Sequence, residues 1–378
     1  RGEVGAVMGS RLLKAVVIDD EGAPLRKPFD KASFRTAVDT VLETLKSGPH
    51  GISGDFLKMF GTPGIVDMDN KKGSLPTFNY RRGSFDQSHM INAEKFIELN
   101  AGRGGSMGHA CMPGCIIRCH NVYHDSKGGY LTGSLEFETL ALLGSNLGIS
   151  DLDAIARMDR RCDELGIDTI ETGSTIGILN DVGLFEFGDA ARAEALIEEI
   201  AAGTPLGRIL GNGVEVVAKV FGIDRVPSVK GQAIPGHEPR ALKGWGVTYA
   251  TSPQGADHTT GPVTEDPLNP AGQAQRSKLS QIHNTAFDAT GLCHFTFLAR
   301  TPEKILPMIN SFFNLQLEVE DFRELGRWML RTERAFNQKA GIGPCADRLP
   351  EWMRKEALAP TNAVFDVPQA EMDELANL

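Results

Sequence analysis

Several residue types are scarce here, and each shortage excludes something. Of 378 residues, six are cysteine, four tyrosine and three tryptophan. So few cysteines in so long a chain do not build the disulfide scaffold of a small secreted domain. No apolar run approaches the roughly 18 residues that span a bilayer, so no membrane span is expected. Positive charge is in deficit: 39 Lys and Arg stand against 49 Asp and Glu, a formal net charge of −10. That balance argues against a nucleic-acid or membrane-surface partner. The pairs Lys71-Lys72 and Arg81-Arg82 read as solvated loop charge. The remaining composition, 41% hydrophobic and 23% charged, is that of a soluble globular chain of two or three domains. With no charged-then-apolar leader, the expected compartment is the cytoplasm. The chain opens on Arg1, inside what reads as a motif, RGEVGAVMGSRLLKAVVID. The expectation is a segment removed upstream, or one piece of a larger protein.

One stretch reads as a strand, the β-branched run Leu12–Asp19. Helical spacing dominates afterwards. Ala37, Val41 and Leu45 share a face, and Ser47-Gly48-Pro49 should stop that helix. Residues 51 to 108, including FGTPGIVDMDNKKGSLPTFNYRRGSF, read as long irregular connections, as does the Gly/Pro-rich segment 235–270. Ser150 is a candidate N-cap for a helix whose apolar face carries Leu152, Ile155, Cys162 and Leu165. Further helices are expected at 192–202, 214–221, 273–286, 303–313 and 319–339. The expected fold is mainly α: two helical domains with long loops around a cofactor site, plus a short N-terminal β remnant. The boundaries fall at 1–25, 26–208 and 209–378.

Two helix ends repeat one device. Asp163-Glu164-Leu165-Gly166-Ile167-Asp168 and Asp288-Ala289-Thr290-Gly291-Leu292-Cys293 both read D-x-x-G-(I/L)-(D/C). The glycine suits the left-handed residue that ends a helix. The aspartate is the surprise, because an anion in a last turn opposes the helix dipole by about 0.3–1 kcal/mol. A carboxylate beside such a turn can accept two adjacent N–H groups of a planar ring such as a pterin. The plainer alternative is two ordinary helix stops, each with a solvated Asp.

Three of the six cysteines crowd into CMPGCIIRC, with Cys111, Cys115 and Cys119 at C-x3-C-x3-C. Pro113-Gly114 breaks any continuous helix there, so a loop around a cluster is expected, with Cys293 as the fourth thiolate. The alternatives are zinc completed by His120 or His124, or small buried residues with no metal. Cys162 and Cys345 are read as core. The glycines of GRGGSMG (Gly102–Gly108) do not fit a nucleotide loop.

Together these segments resemble the tungsten-dependent aldehyde:ferredoxin oxidoreductase family. GAVMGSRLLKAVVI resembles the end of its first, β-rich domain. CMPGCIIRC resembles its cluster loop, and the two D-x-x-G segments its paired pterin motifs. GSLEFETLALLGSNLGI resembles its glutamate segment, and EPRALKGWGVTYATSPQGADH the stretch ending in its active-site histidine. The resemblance implies a bis-pyranopterin tungsten (or molybdenum) cofactor beside a [4Fe–4S] cluster, and leaves room for Mg linking the pterin phosphates. It assigns Cys111, Cys115, Cys119 and Cys293 to the cluster. It assigns Asp163 and Asp288 to the pterins, aided by Gly166, Ile167, Asp168, Gly291 and Leu292. Glu138, or its neighbour Glu136, and His258 would stand at the metal, and Arg240 would meet a cofactor phosphate. His237 and His283 are second-rank candidates. The family's more usual cluster spacing is C-x2-C-x3-C, and Ser134-Leu135 replace its more typical Gly-Pro.

The implied activity oxidises an aldehyde to a carboxylic acid and passes electrons through the cluster to ferredoxin or another iron–sulfur carrier. Glu138 would act as general base and His258 would polarise the carbonyl. The alternative is a non-catalytic iron–sulfur electron-transfer or scaffold subunit. The implied partners are the electron carrier, a small aldehyde substrate, and either further copies of this chain or an N-terminal piece.

Overall fold

The spacing of Ala37, Val41 and Leu45 is realised as a helix, Lys31–Ser47, that buries all three side chains. The structure, a computed structural model, describes residues 1–2, 4–47, 55–297 and 299–376. The expected stop at Gly48-Pro49 lies outside them. The helices Val214–Phe221 and Val319–Lys339 begin and end where their patterns do. Gln273–Asp288 runs two residues past its expected end. The helix Leu152–Leu165 is capped by Asp151 rather than Ser150: the Asp151 carboxylate accepts from the N–H groups of Asp153 and Ala154. Leu152, Ile155 and Cys162 of its expected face are buried.

The fold is mainly α, with corrections. Leu12–Asp19 is not a strand. A short helix, Val4–Ser10, precedes it, and Leu12, Val16, Val17 and Ile18 are exposed. β-branched residues make a strand only beside another strand, and none adjoins this segment among the described residues. The irregular stretch after residue 51 holds three helices: Asp55–Phe60, Ile65–Lys72 and Ala93–Asn100. Some of its Gly and Asn residues are helix ends. Gly73 is the left-handed C-cap of the second, and the Asn92 side chain caps the third by accepting from the Lys95 N–H. The 235–270 stretch likewise contains the helix Lys243–Thr251. That helix is buried on every side, so it has no amphipathic period to read. Cys345 is exposed, not core.

A three-stranded antiparallel sheet is formed by Ser106–His109, His120–His124 and Tyr130–Gly133 in chain order. Two apolar clusters organise the rest. The larger joins residues from Val66 to Leu375 and continues through Leu196, Ile197, Leu210 and Val214. The smaller gathers Val41, Leu45, Leu57, Ile117, Ala286, Phe287, Ile305, Leu306 and Phe322. It clamps the Lys31–Ser47 helix against Pro302–Phe313, and seats the cysteine loop beside the end of Gln273–Asp288.

Candidate active site

The pairing of His109 with His120 brings the two ends of segment 110–119 together, so CMPGCIIRC is a hairpin loop. Arg118 holds φ 55°, uncommon for a residue with a side chain, and its Nε donates to the Gly108 carbonyl at 2.7 Å. Ile117 is buried in the smaller core, and Cys115 and Cys119 pack on it. Ala286 and Phe287 enter the same core one turn before Cys293, and Leu292 packs on it too. Apolar burial therefore carries the distant cysteine to the loop. The thiols sense one another. Burial, then the charges of Cys115 and Cys293, raise Cys111. Burial, Glu136 and the other three thiols push Cys119 up to about 12.

Among the described residues, no three of His, Cys, Asp or Glu stand close enough to hold one ion. In a tetrahedral zinc site with Zn–S near 2.3 Å, the sulfurs lie about 3.8 Å apart. A cube that offers one iron per thiolate holds them wider. His120 Nδ1 is on the Ser134 hydroxyl, and His124 Nδ1 is on the Arg103 and Gly128 carbonyls.

Both D-x-x-G segments end helices as their glycines require. Gly166 has φ 69° and Gly291 has φ 73°, and each N–H donates to the carbonyl of its own Asp, 163 or 288. A side chain at either glycine would meet nothing within 4 Å, so both turns face open space. The Ile167 N–H is spent on the Cys162 carbonyl, whereas the Leu292 N–H has only a long contact, 3.4 Å, to the Thr290 hydroxyl. Partial burial raises Asp163, with Arg160 opposing. Partial burial also raises Asp288, against the pull of Arg300 at 3.0 Å. Asp168 caps the next helix, Thr169–Asp181, through the Glu171 N–H.

The two glutamates separate cleanly. Glu136 is half-buried and accepts from the Thr62 hydroxyl, whose oxygen in turn accepts the Phe137 N–H. Burial raises its carboxyl, and its charge reaches Cys119. Glu138 lies on the short helical turn Phe137–Thr139 and points elsewhere. Its Oε2 accepts the Gly236 N–H at 2.6 Å, while Oε1 is buried without a partner, 3.6 Å from His258 Nε2 and 3.9 Å from His237 Nε2. Only glycine suits position 236, because a Cβ there would come within 2.8 Å of Ala141 and 3.1 Å of Glu138. Burial lowers His258 despite Glu138, so its ring is neutral, and its Nδ1 has no partner.

His237, ranked second by sequence, sits at the centre. It stacks on Phe137 at 4.7 Å and lies 4.4 Å from Trp245. Its Nδ1 meets Asp69 at 2.6 Å. Two buried tyrosines brace its loop: Tyr80 donates to the Pro235 carbonyl at 2.9 Å, and Tyr249 to that of His237 at 3.0 Å. His283 instead lies tilted against Phe287 at 4.5 Å with its Nε2 on the Arg300 carbonyl. Arg240, expected at a cofactor phosphate, is buried, with its donors spent on Glu238 and the carbonyls of Tyr80 and Glu356. Sequence reasoning missed Asp69, Thr62, Trp245 and His294. His294 follows Cys293 directly, and burial and the Arg300 charge lower it to about 4. Only that adjacency could have flagged it.

The family model for aldehyde ferredoxin oxidoreductase, domains 2 and 3, matches residues 36–377. The tungsten-containing aldehyde ferredoxin oxidoreductase of Thermococcus kodakarensis is 30% identical over 385 residues, and that of Pyrococcus abyssi 31% over 391; each match covers 95% of this chain. The WOR-like subunit of the aliphatic sulfonate oxidoreductase of Pyrococcus furiosus is 25% identical over 361 residues. The chain spans 62% of the length of the first two relatives. In fold it matches the active site complex BamBC of benzoyl coenzyme A reductase, with a TM-score of 0.73 at 17% identity, covering 99% of this chain and 65% of that one. By the extent of these matches, the chain belongs to the aldehyde ferredoxin oxidoreductase family.

Proposed function

We propose that this chain carries the redox centres of an oxidoreductase that converts an aldehyde to a carboxylic acid. Electrons would leave through a [4Fe–4S] cluster to ferredoxin or another iron–sulfur carrier in the cytoplasm. The observation that carries the reading is the buried, unpartnered Glu138 Oε1 between two imidazoles. The residues fit the implied groups. Four thiols sense one another, two acid-bearing turns face open space, and Glu138 Oε1, His258 Nδ1 and Trp245 Nε1 are buried polar atoms without protein partners.

When bound, a bis-pyranopterin tungsten or molybdenum centre supplies a two-electron acceptor, and the cluster a one-electron exit. Cys111, Cys115, Cys119 and Cys293 would hold the cluster, and Asp163 and Asp288 the pterin rings. Aldehyde and water become carboxylic acid, two electrons and two protons. Glu138 keeps Oε2 on the Gly236 N–H, which fixes the carboxylate and leaves Oε1 to take a proton from water. His258 is neutral, and a proton on its free Nδ1 lets it donate to the aldehyde oxygen without adding charge to the buried site. Phe137, Trp245 and the stacked rings keep bulk water away.

The test is aldehyde-dependent reduction of a viologen dye by the loaded protein. Glu138→Gln should lower kcat by about 100-fold or more and His258→Ala by about 10- to 100-fold, with tungsten and iron retained. Full turnover in both variants would defeat the assignment.

A further inference from the structure

The buried contact between Asp69 and His237 lies one residue beyond anything assigned so far. Asp69 sits in the last turn of the Ile65–Lys72 helix and is 2% exposed. A carboxylate there is opposed twice, by loss of hydration and by the negative end of the helix. Such a group persists where a cation or strong donor meets it, and His237 Nδ1 does so at 2.6 Å. The ring has no freedom to turn. Phe137 stacks on one side at 4.7 Å and Trp245 lies 4.4 Å away. The Tyr249 hydroxyl holds the residue's own carbonyl at 3.0 Å. With Nδ1 spent on Asp69, Nε2 is the atom left to face Glu138 Oε1, at 3.9 Å.

We propose that Asp69 is a positioning residue that acts through His237. By accepting from Nδ1–H it fixes the ring so that Nε2–H points at Glu138, completing a line Asp69–His237–Glu138–His258. This rests on the reading of Glu138 as the base. The line sets Glu138 between one ring held above its ordinary value and one held below it. Burial opposes the charge on His237, but the Asp69 carboxylate, its hydrogen bond and Glu138 outweigh burial and Lys72, and the ring is held above its ordinary value. The charged and titratable groups facing His237 are Asp69 and Lys72 on one side, and Glu138 and His258 on the other. The Tyr249 phenol, held well above its ordinary value by burial, stays neutral.

The test has two readouts on the full chain. In ¹⁵N-histidine-labelled protein, the His237 ring, assigned by its loss in His237→Gln, should show a protonated Nδ1 across neutral pH and a titration midpoint above that of a free imidazole. Asp69→Asn keeps the shape and removes the charge, so that midpoint should fall. In the loaded enzyme the same variant should lower kcat by about 10- to 100-fold with KM within about twofold. The alkaline limb of its pH profile should move toward lower pH. A wild-type His237 that carries its proton on Nε2 alone, or ring signals unchanged in Asp69→Asn, overturns the proposal; the wild-type spectrum suffices even if the variant does not fold. A normal ring signature with no aldehyde turnover in the wild type would instead strike at the functional reading and leave the dyad standing.

Discussion

Glu136 and Glu138 stand two positions apart and face different chemistry. The turn Phe137–Thr139 directs Glu138 to the histidines, whereas Glu136, before its first residue, turns back to Thr62 and Cys119. Glu136→Gln should therefore spare turnover within about threefold and raise the cluster's reduction potential, because an anion near the thiolates is removed. Redox titration of the loaded variant checks this. A second buried carboxyl, Asp159, lies beneath the same turn, 2.7 Å from the Thr132 hydroxyl and 3.3 Å from that of Thr139. Burial pushes it up to about 7 from 3.8. The folded state thus binds a proton that the unfolded state releases over that interval, so the contribution to stability is full below about pH 4 and fades as pH rises through 7. Asp159→Asn should remove that fading. Melting at pH 5 and pH 8 should show a smaller loss in the variant than in the wild type, and equal losses would contradict the assignment.

At the scale of elements, the hairpin loop and the end of the Gln273–Asp288 helix meet because both send apolar side chains into one small core. Phe287 is fully buried there, against Phe322 at 4.8 Å. Phe287→Ala should cost about 3–5 kcal/mol and lower iron retention, measured by denaturant unfolding and metal content. A variant that lost stability yet held iron normally would show that the core does not position Cys293. Helices with one apolar stripe were legible in the sequence, as were the D-x-x-G ends and the cysteine spacing, because each is a local pattern. Lys243–Thr251 and Ile65–Lys72 were not. The first is buried all round, and the second is framed by glycines that read as loop. Leu12–Asp19 carried strand propensity without a neighbour to pair with. The Asp69–His237 contact joins residues 168 apart in sequence and leaves no local trace. Arg240 looked like a surface or phosphate arginine because nothing in the sequence announces its burial beside Glu238.

Across the whole molecule, Asp163, Asp288, Cys111 and Cys293 are exposed. The chain spans 62% of its first relatives, and Val16, Val17 and Ile18 are bare. Exposed turns would hold the proposed cofactor through few contacts, so each aspartate would matter. Asp163→Ala and Asp288→Ala should each lower tungsten or molybdenum content per chain while iron stays, and equal loading in both variants would count against carboxylate–pterin binding. The proposed architecture comes down to three local sulfurs and one distant sulfur around one inorganic cube. The most direct measurement is elemental analysis of the anaerobically purified protein alongside its Cys293→Ser variant. About four irons per chain in the wild type, together with tungsten or molybdenum, and loss of the cluster's absorbance in the variant are expected. Zinc in place of iron, or iron unchanged by Cys293→Ser, would contradict it.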